Sequence, residues 1–114
     1  MSHPLRGELY WVKLDSTVGS EIAKTRPAVI ISNNVGNQYA DRVIVAPITD
    51  ANNARVYPFE VKLEVGEGGV TQTGKVLLDQ IRTVDKRRLG ARLGTIPAAR
   101  MEEVNRAIRL SLAV

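Results

Sequence analysis

Arg26 stands directly before Pro27 and the apolar run Ala28-Val29-Ile30-Ile31. Proline biases the residue before it towards an extended backbone, so the arginine is held extended where a strand begins. A guanidinium aimed in this way suits a phosphate, which its planar fork grips with two parallel hydrogen bonds. An ordinary solvated charge at a strand end has the same local sequence. The stretch leading in, Gly19-Ser20-Glu21-Ile22-Ala23-Lys24-Thr25, is a largely polar loop that starts at a glycine.

Other chemistries fall away on residue type. The chain has one histidine, His3, in the N-terminal tail, so a mechanism built on two histidines is excluded. It has no cysteine, hence no thiolate nucleophile, thiolate metal site or disulfide framework. No His and carboxylate cluster shows metal-ligand spacing, and no cofactor is expected. Gly66-Glu67-Gly68-Gly69 precedes no helix with a lysine, so it is not a phosphate loop. Ser20 and Ser32 have no histidine partner for a hydrolase triad. Metal-free chemistry built on arginine is what remains. Between Arg82 and Arg92 there are five bases (Arg82, Lys86, Arg87, Arg88, Arg92) and one acid, Asp85. That run is either a solvated turn between strands or a patch that tracks phosphates.

The elements that must hold these residues are short. Tyr10, Val12 and Leu14 alternate with Trp11 and Lys13, as in a strand with one face in the core. Pro27 to Ile31 predicts a central strand, and Arg42 to Thr49 another. Pro47 cannot donate to a ladder, so pairing must break just before Thr49. Tyr57 to Val65 alternates and carries Pro58, predicting an edge strand. Gly66 to Gly69 predicts a mobile hairpin-like connection, and Lys75 to Val84 one long strand. Asn33 to Gln38 has turn chemistry with room for one helical turn. Pro97 opens a helix on which Met101, Val104, Ile108 and Leu112 share a face. With 114 residues, 44% apolar and 25% charged, and net charge +4, residues 1–114 form one domain of α+β class. The expected architecture is a small, strongly twisted barrel of short strands with a helix packed on it. The chain start lacks the apolar core of a secretory signal, and no run is long enough to span a membrane. Both absences suit the cytoplasm.

Four stretches carry a resemblance in register: Arg6-Gly7-Glu8; Gly19-Ser20-Glu21 with Arg26-Pro27; Val45-Ala46-Pro47-Ile48-Thr49; and Asp79-Gln80-Ile81-Arg82-Thr83-Val84-Asp85-Lys86-Arg87-Arg88-Leu89. In this order they resemble the MazF/PemK/Kid family of toxin endoribonucleases, a resemblance that covers roughly residues 6 to 112. The resemblance implies an SH3-like barrel of about five to seven strands with a C-terminal helix, usually a homodimer. It implies that Arg26 clamps a scissile phosphate and takes part in proton transfer, while Thr49 hydrogen-bonds the developing charge. Arginine is a poor general base, so its electrostatic and proton-donating roles outweigh base work. Glu21 is an alternative proton acceptor if its loop folds back over Arg26. Without the resemblance Thr49 reads as a structural strand-end residue.

The implied reaction is metal-independent cleavage of single-stranded mRNA at a short sequence, leaving a 2′,3′-cyclic phosphate and a 5′-hydroxyl. Such toxins are neutralised by a cognate antitoxin. For recognition, Tyr57 beside Arg55 is the best stacking candidate, and Ser20, Asn33, Gln80, Arg82 and Arg87 could read bases or hold phosphates. Trp11 reads as core or subunit interface. Two other classes compete: a CcdB-like toxin that binds DNA gyrase without catalysis, and a bare RNA-binding barrel. The ending Leu110-Ser111-Leu112-Ala113-Val114 lacks the aromatic-containing tail of the first, and Arg26 with Thr49 favours cleavage over both.

Overall fold

The computed structural model describes residues 3–14, 18, 19, 21, 24–51 and 54–114. Its elements, in chain order, are β1 (Glu8–Lys13), β2 (Thr25–Ile30), α1 (Asn34–Tyr39), β3 (Arg42–Asp50), β4 (Glu60–Leu63), β5 (Gly74–Leu77), β6 (Arg82–Asp85), β7 (Leu89–Thr95) and α2 (Ala98–Leu112). Single 3-10 turns lie at Glu67–Gly69 and Lys86–Arg88. The strands form one antiparallel sheet in the order β4-β5-β3-β2-β1-β7, with β6 also paired to β3. The α+β class, the seven short strands and the C-terminal helix match expectation. The ladders do not close into a ring, however. The sheet ends at β4 and β7, and the 3-10 turn 67–69, not a strand, lies against β7.

Pro47 acts as the sequence predicts. β3 pairs with β6 from Arg42 to Val45 and with β5 from Ile48 to Asp50, and the partner changes across Ala46 and Pro47. A residue without an N–H suits the place where one ladder stops and another starts.

Both faces of the sheet are buried, which side-chain alternation permits and a single half-wet strand pattern would not. One cluster joins Leu9, Val29, Ala46, Ile48, Leu63, Val76 and Leu78 to Val104 and Ala107 of α2. A second joins Val12, Leu14, Ala28, Ile30, Val43, Val45 and Val84, every one from the strands or their ends. The curled sheet therefore encloses that second cluster itself. On α2, Val104 and Ala107 are buried, Met101 and Ile108 pack beside them, and Leu112 lies outside.

Three expectations need correction. The stretch 57–59 is a turn, not strand: the Glu60 N–H donates to the Tyr57 carbonyl, so β4 starts only at Glu60. The long strand Lys75–Val84 is two strands, divided where the Gln80 N–H turns back to the Leu77 carbonyl. The Gly66–Gly69 connection is packed rather than loose. Gly68 is buried against Leu9, and a Cβ on Gly69 would come within 2.4 Å of the Leu93 carbonyl oxygen. Glu67 in the same turn pairs with Arg100 of α2 at 3.0 Å and accepts the Glu64 N–H at 2.8 Å.

Gly69→Ala is expected to destabilise by about 3 kcal/mol, since φ of 89° and a backbone clash coincide. Gly66→Ala, at φ 94° with open space around it, should cost about 1 kcal/mol. Urea unfolding of the two variants measures the difference, and equal midpoints would refute the packed turn. The Glu64 N–H, and then Arg100, hold the Glu67 carboxyl below its ordinary 4.5. Its contribution is therefore present above that value and lost as pH falls through the lower folded value. In Glu67→Gln the acid-side decline of the urea midpoint should be shallower than in the parent chain.

Candidate nucleic-acid interface

The β2–β3 ladder pairs Ile30 with Val45, Val29 with Ala46 and Ala28 with Pro47. The ladder stops there; two residues beyond it on each strand, Arg26 and Thr49 have the side-chain parity of Ala28 and Pro47 and so share their face. The neighbouring ladders extend the row: Val12 opposes Arg26 in β1, Lys75 opposes Thr49 in β5, and Lys62 opposes Lys75 in β4. Ala28, Ile30, Val43 and Val45 on this same face form the strand-enclosed cluster. The apolar rows thus give way, at one end of the sheet, to a row of arginine, threonine and lysine.

The chain around Arg26 is anchored. The Leu14 N–H donates to the Lys24 carbonyl at 2.9 Å, closing the segment between β1 and β2 at its root. Lys24 has φ 68°, uncommon for a residue with a side chain, and Thr25 then starts β2. Strain beside a half-buried arginine at a strand start is a recurrent mark of functional sites. Glu21 is exposed, and its Oε1 accepts the Val18 N–H at 2.8 Å within its own loop. Ser20 lies outside the described residues.

A cleft of about 260 Å³ opens beside Arg26, lined by Trp11, Pro27, Ile48, Asp50, Val70 and Leu93 among others. Arg26 itself lines this cleft, with Thr25 and Gly74, so the cleft borders the arginine directly at the ends of β2 and β3. Trp11 lines the cleft and is 41% exposed, on the face that the alternation of β1 sets opposite Val12 and Leu14, so it is not a core residue.

Beyond Thr49, the turn before β4 carries a compact stack. The rings of Tyr57 and Phe59 are 5.6 Å apart and within 5° of parallel, and the Arg55 guanidinium sits 5.0 Å from the Tyr57 centroid. Lys75 lies beneath, its Nζ 5.9 Å from the same centroid. Sequence reasoning found Arg55 and Tyr57 and missed Lys75. Only the β3–β5 pairing, at a sequence distance no local pattern spans, brings it to Thr49.

The remaining candidates are spread out. Asn33 is the N-cap of α1, its side-chain oxygen accepting the Gly36 N–H at 2.7 Å. Gln80 is half-buried in the turn between β5 and β6. Arg82 opposes Val45, hence shares the face of Arg26, and donates to the Leu14 carbonyl at 3.3 Å. Within the basic run, Arg87 forks onto Asp85 at 3.0 and 3.2 Å while 90% exposed. That fork, followed by the Arg87 N–H, holds Asp85 below the usual carboxylate range. Arg88 donates to the Lys13 carbonyl at 3.1 Å, and Arg92 pairs with buried Glu8 at 3.2 Å. Tyr10 donates to the same carboxylate, and burial, reinforced by that bond, pushes its hydroxyl above the ordinary value. The run is therefore strand β7 and its approach, largely engaged with the protein, rather than a free turn of cations. Among the described residues no three His, Cys, Asp or Glu side chains come together as a metal site requires.

The geometry has counterparts in known proteins. Residues 5–112 match the model of the family described as PemK-like, MazF-like toxin of type II toxin-antitoxin system. The chain is 40% identical over 109 residues to an endoribonuclease MazF of Staphylococcus epidermidis, covering 96% of this chain and 91% of that one. The crystal structure of MazF from Deinococcus radiodurans superimposes with TM-score 0.84 at 30% identity, covering all of both chains. A mycobacterial endoribonuclease solved in complex with its cognate antitoxin gives 0.80 at 30% identity, over 97% of this chain and 96% of that one. A match over nearly the whole chain, on the same seven-stranded sheet and C-terminal helix, makes this protein a member of the PemK-like, MazF-like toxin family.

Proposed function

We propose that the chain is a sequence-specific, metal-independent endoribonuclease toxin that cuts single-stranded mRNA. The observation that carries this reading is the family match over residues 5–112, and the strand parity that gives Arg26 and Thr49 a common face supports it. In the reaction the 2′-oxygen forms a bond to the adjacent phosphorus and the bond to the 5′-oxygen breaks. The 2′-hydroxyl proton goes to a carboxylate, assigned here to Glu21 on the loop that leads to Arg26. The departing 5′-oxygen takes a proton delivered through the Arg26 guanidinium and replaced from solvent. Arg26 and the Thr49 hydroxyl donate hydrogen bonds to the non-bridging oxygens, whose charge peaks in the phosphorane. The products are a 2′,3′-cyclic phosphate and a 5′-hydroxyl.

RNA is held by stacking on the Arg55–Tyr57 surface, with Arg82 on the Arg26 face and Gln80, Asn33 and Arg87 at the margins, and the Ser20 hydroxyl is a further contact that the resemblance implies. The endoribonuclease solved with its cognate antitoxin supports an antitoxin partner for this chain too. A homodimer is also part of the reading. β4 and β7 end the sheet, and Val35, Tyr39, Leu110 and Leu112 are exposed, which is edge and apolar material for an interface. No described helix is long and apolar enough to cross a membrane. The reading puts the protein in the cytoplasm with its mRNA substrate.

Arg26→Ala should lose about two to three decades in single-turnover rate, roughly 3 to 4 kcal/mol of transition-state stabilisation, while keeping fold and much of the affinity. Arg26→Lys should restore little, because an ammonium replaces a fork with a point charge. Thr49→Ala should lose less than Arg26→Ala. Cleavage of labelled RNA is expected to survive excess chelator and to vanish when the 2′-oxygen is blocked. An Arg26→Ala enzyme that cuts at the parent rate once saturated would overturn the assignment. Sedimentation should give a species of twice 12.5 kDa, and a monomer alone at micromolar concentration would count against the dimer.

A further inference from the structure

Lys75 and Glu60 form a nearly buried pair directly under the Arg55–Tyr57 stack. The Lys75 Nζ and a Glu60 carboxylate oxygen are 3.0 Å apart, with side chains only 13% and 7% exposed. Among the described ion pairs, others run along exposed surfaces, as Lys62–Glu64 does at 46% and 54% exposure. The bonds the pair makes are directed at one turn. Glu60 Oε1 also accepts the Tyr57 N–H at 3.0 Å, and Lys75 Nζ also donates to the Arg55 carbonyl at 3.1 Å. The backbone at both residues of the stack is thus fixed by one carboxylate and one ammonium.

Register supplies the other half of the argument. Lys75 is the direct partner of Thr49, and Thr49 has the parity of Pro47, whose partner Ala28 shares its face with Arg26, so the pinned stack stands one strand beyond Thr49 on that side. Neighbouring strands are about 4.8 Å apart, which puts the stack beside whatever Arg26 and Thr49 hold. A turn containing Pro58 and bounded by Ala54 would otherwise sample many positions. Tyr57 is 42% exposed, so its surface is open to a base while its backbone is not free to move.

We infer that Lys75 and Glu60 are positioning residues that lock the Arg55–Tyr57 surface to receive the base next to the scissile phosphate, so that this pair sets the preference at one nucleotide position. The inference rests on the endoribonuclease reading. Lys75 touches no reacting atom; its effect passes through Tyr57 and Arg55. A surface that adopts its receptive arrangement only part of the time lowers apparent affinity by that fraction and leaves the bound reaction rate intact.

The test compares Lys75→Met, Tyr57→Ala and the double variant. It uses an RNA pool randomised around the cut, and a 2′-O-methyl RNA for binding. Lys75→Met should raise Kd and KM about tenfold with less than a twofold change in saturated single-turnover rate. Both single variants should relax the preference at the same one position, and the double should be no worse than Tyr57→Ala alone. Lys75→Arg, which keeps the charge and the donors, should recover most of the preference. Should Lys75→Met unfold, Glu60→Gln removes the charge at constant shape and carries the same expectations. Unchanged preference in a folded variant, or losses that add across the double, would overturn the inference while parent cleavage stands. A parent chain that neither binds nor cuts RNA would overturn the endoribonuclease reading beneath it.

Discussion

The register of β2 on β3, Ala28 opposite Pro47, is the constraint on which the rest of the molecule depends. Side chains alternate with a period of two, so a slip of one residue would turn Arg26 to the helix-facing side and leave Thr49 without it. The same slip would carry Ala28 and Ile30 out of the strand-enclosed cluster and Val29 out of the other. Both clusters therefore vote for the register that keeps Arg26 and Thr49 on one face. Burial of apolar side chains is worth about 1.5 to 3 kcal/mol each, so the two-sided core holds the site's geometry far more firmly than any bond within the site.

Pro47 connects this constraint to the site's openness. β3 exchanges β6 for β5 across it, and beyond it the β2 ladder ends, so Thr49 sits where β3 is paired on one side only. Half-buried Arg26 and Thr49 are thereby exposed to an incoming strand without loss of their positions.

Sequence patterns of short range were legible, and long-range pairing was not. Arg26-Pro27, the ladder break at Pro47, the helix opened by Pro97, and the Val104 face each depend on residues within a turn or two of one another. Lys75 was invisible as a site residue because its relation to Thr49 exists only through the β3–β5 ladder, and alternation alone cannot say which strand lies alongside. β7 was hidden by the basic residues that precede it, which suggest a solvated turn until Arg88 is found on the Lys13 carbonyl and Arg92 of β7 on Glu8. Tyr57 and Phe59 continued the alternation of β4, yet Glu60 turns the chain back through the Tyr57 N–H. A side-chain acceptor three residues on outweighed the strand pattern. The roles of Arg26, Thr49 and Glu21 came from the family resemblance, with geometry supplying only the shared face of the first two.

The basic residues between Arg82 and Arg92 serve two ends that the sequence presented as alternatives. Arg82 and Arg88 donate to the carbonyls of Leu14 and Lys13, at the end of β1 and just past it, before the segment that leads to Arg26. Those carbonyls stand where the β1 ladder stops, and buried backbone acceptors at such a place are normally given donors. A guanidinium has five N–H groups in a planar fork, so one spent on a carbonyl leaves others, and the charge itself is not neutralised by a neutral partner. Arg87 and Arg92 differ, because each is paired with a carboxylate and contributes little net field beyond it. Arg82 and Arg88 thus brace the root of the segment before Arg26 and still carry positive charge to the same side of the sheet. Structural anchoring and attraction of a polyanion are not competing descriptions for an arginine whose partner is a backbone oxygen.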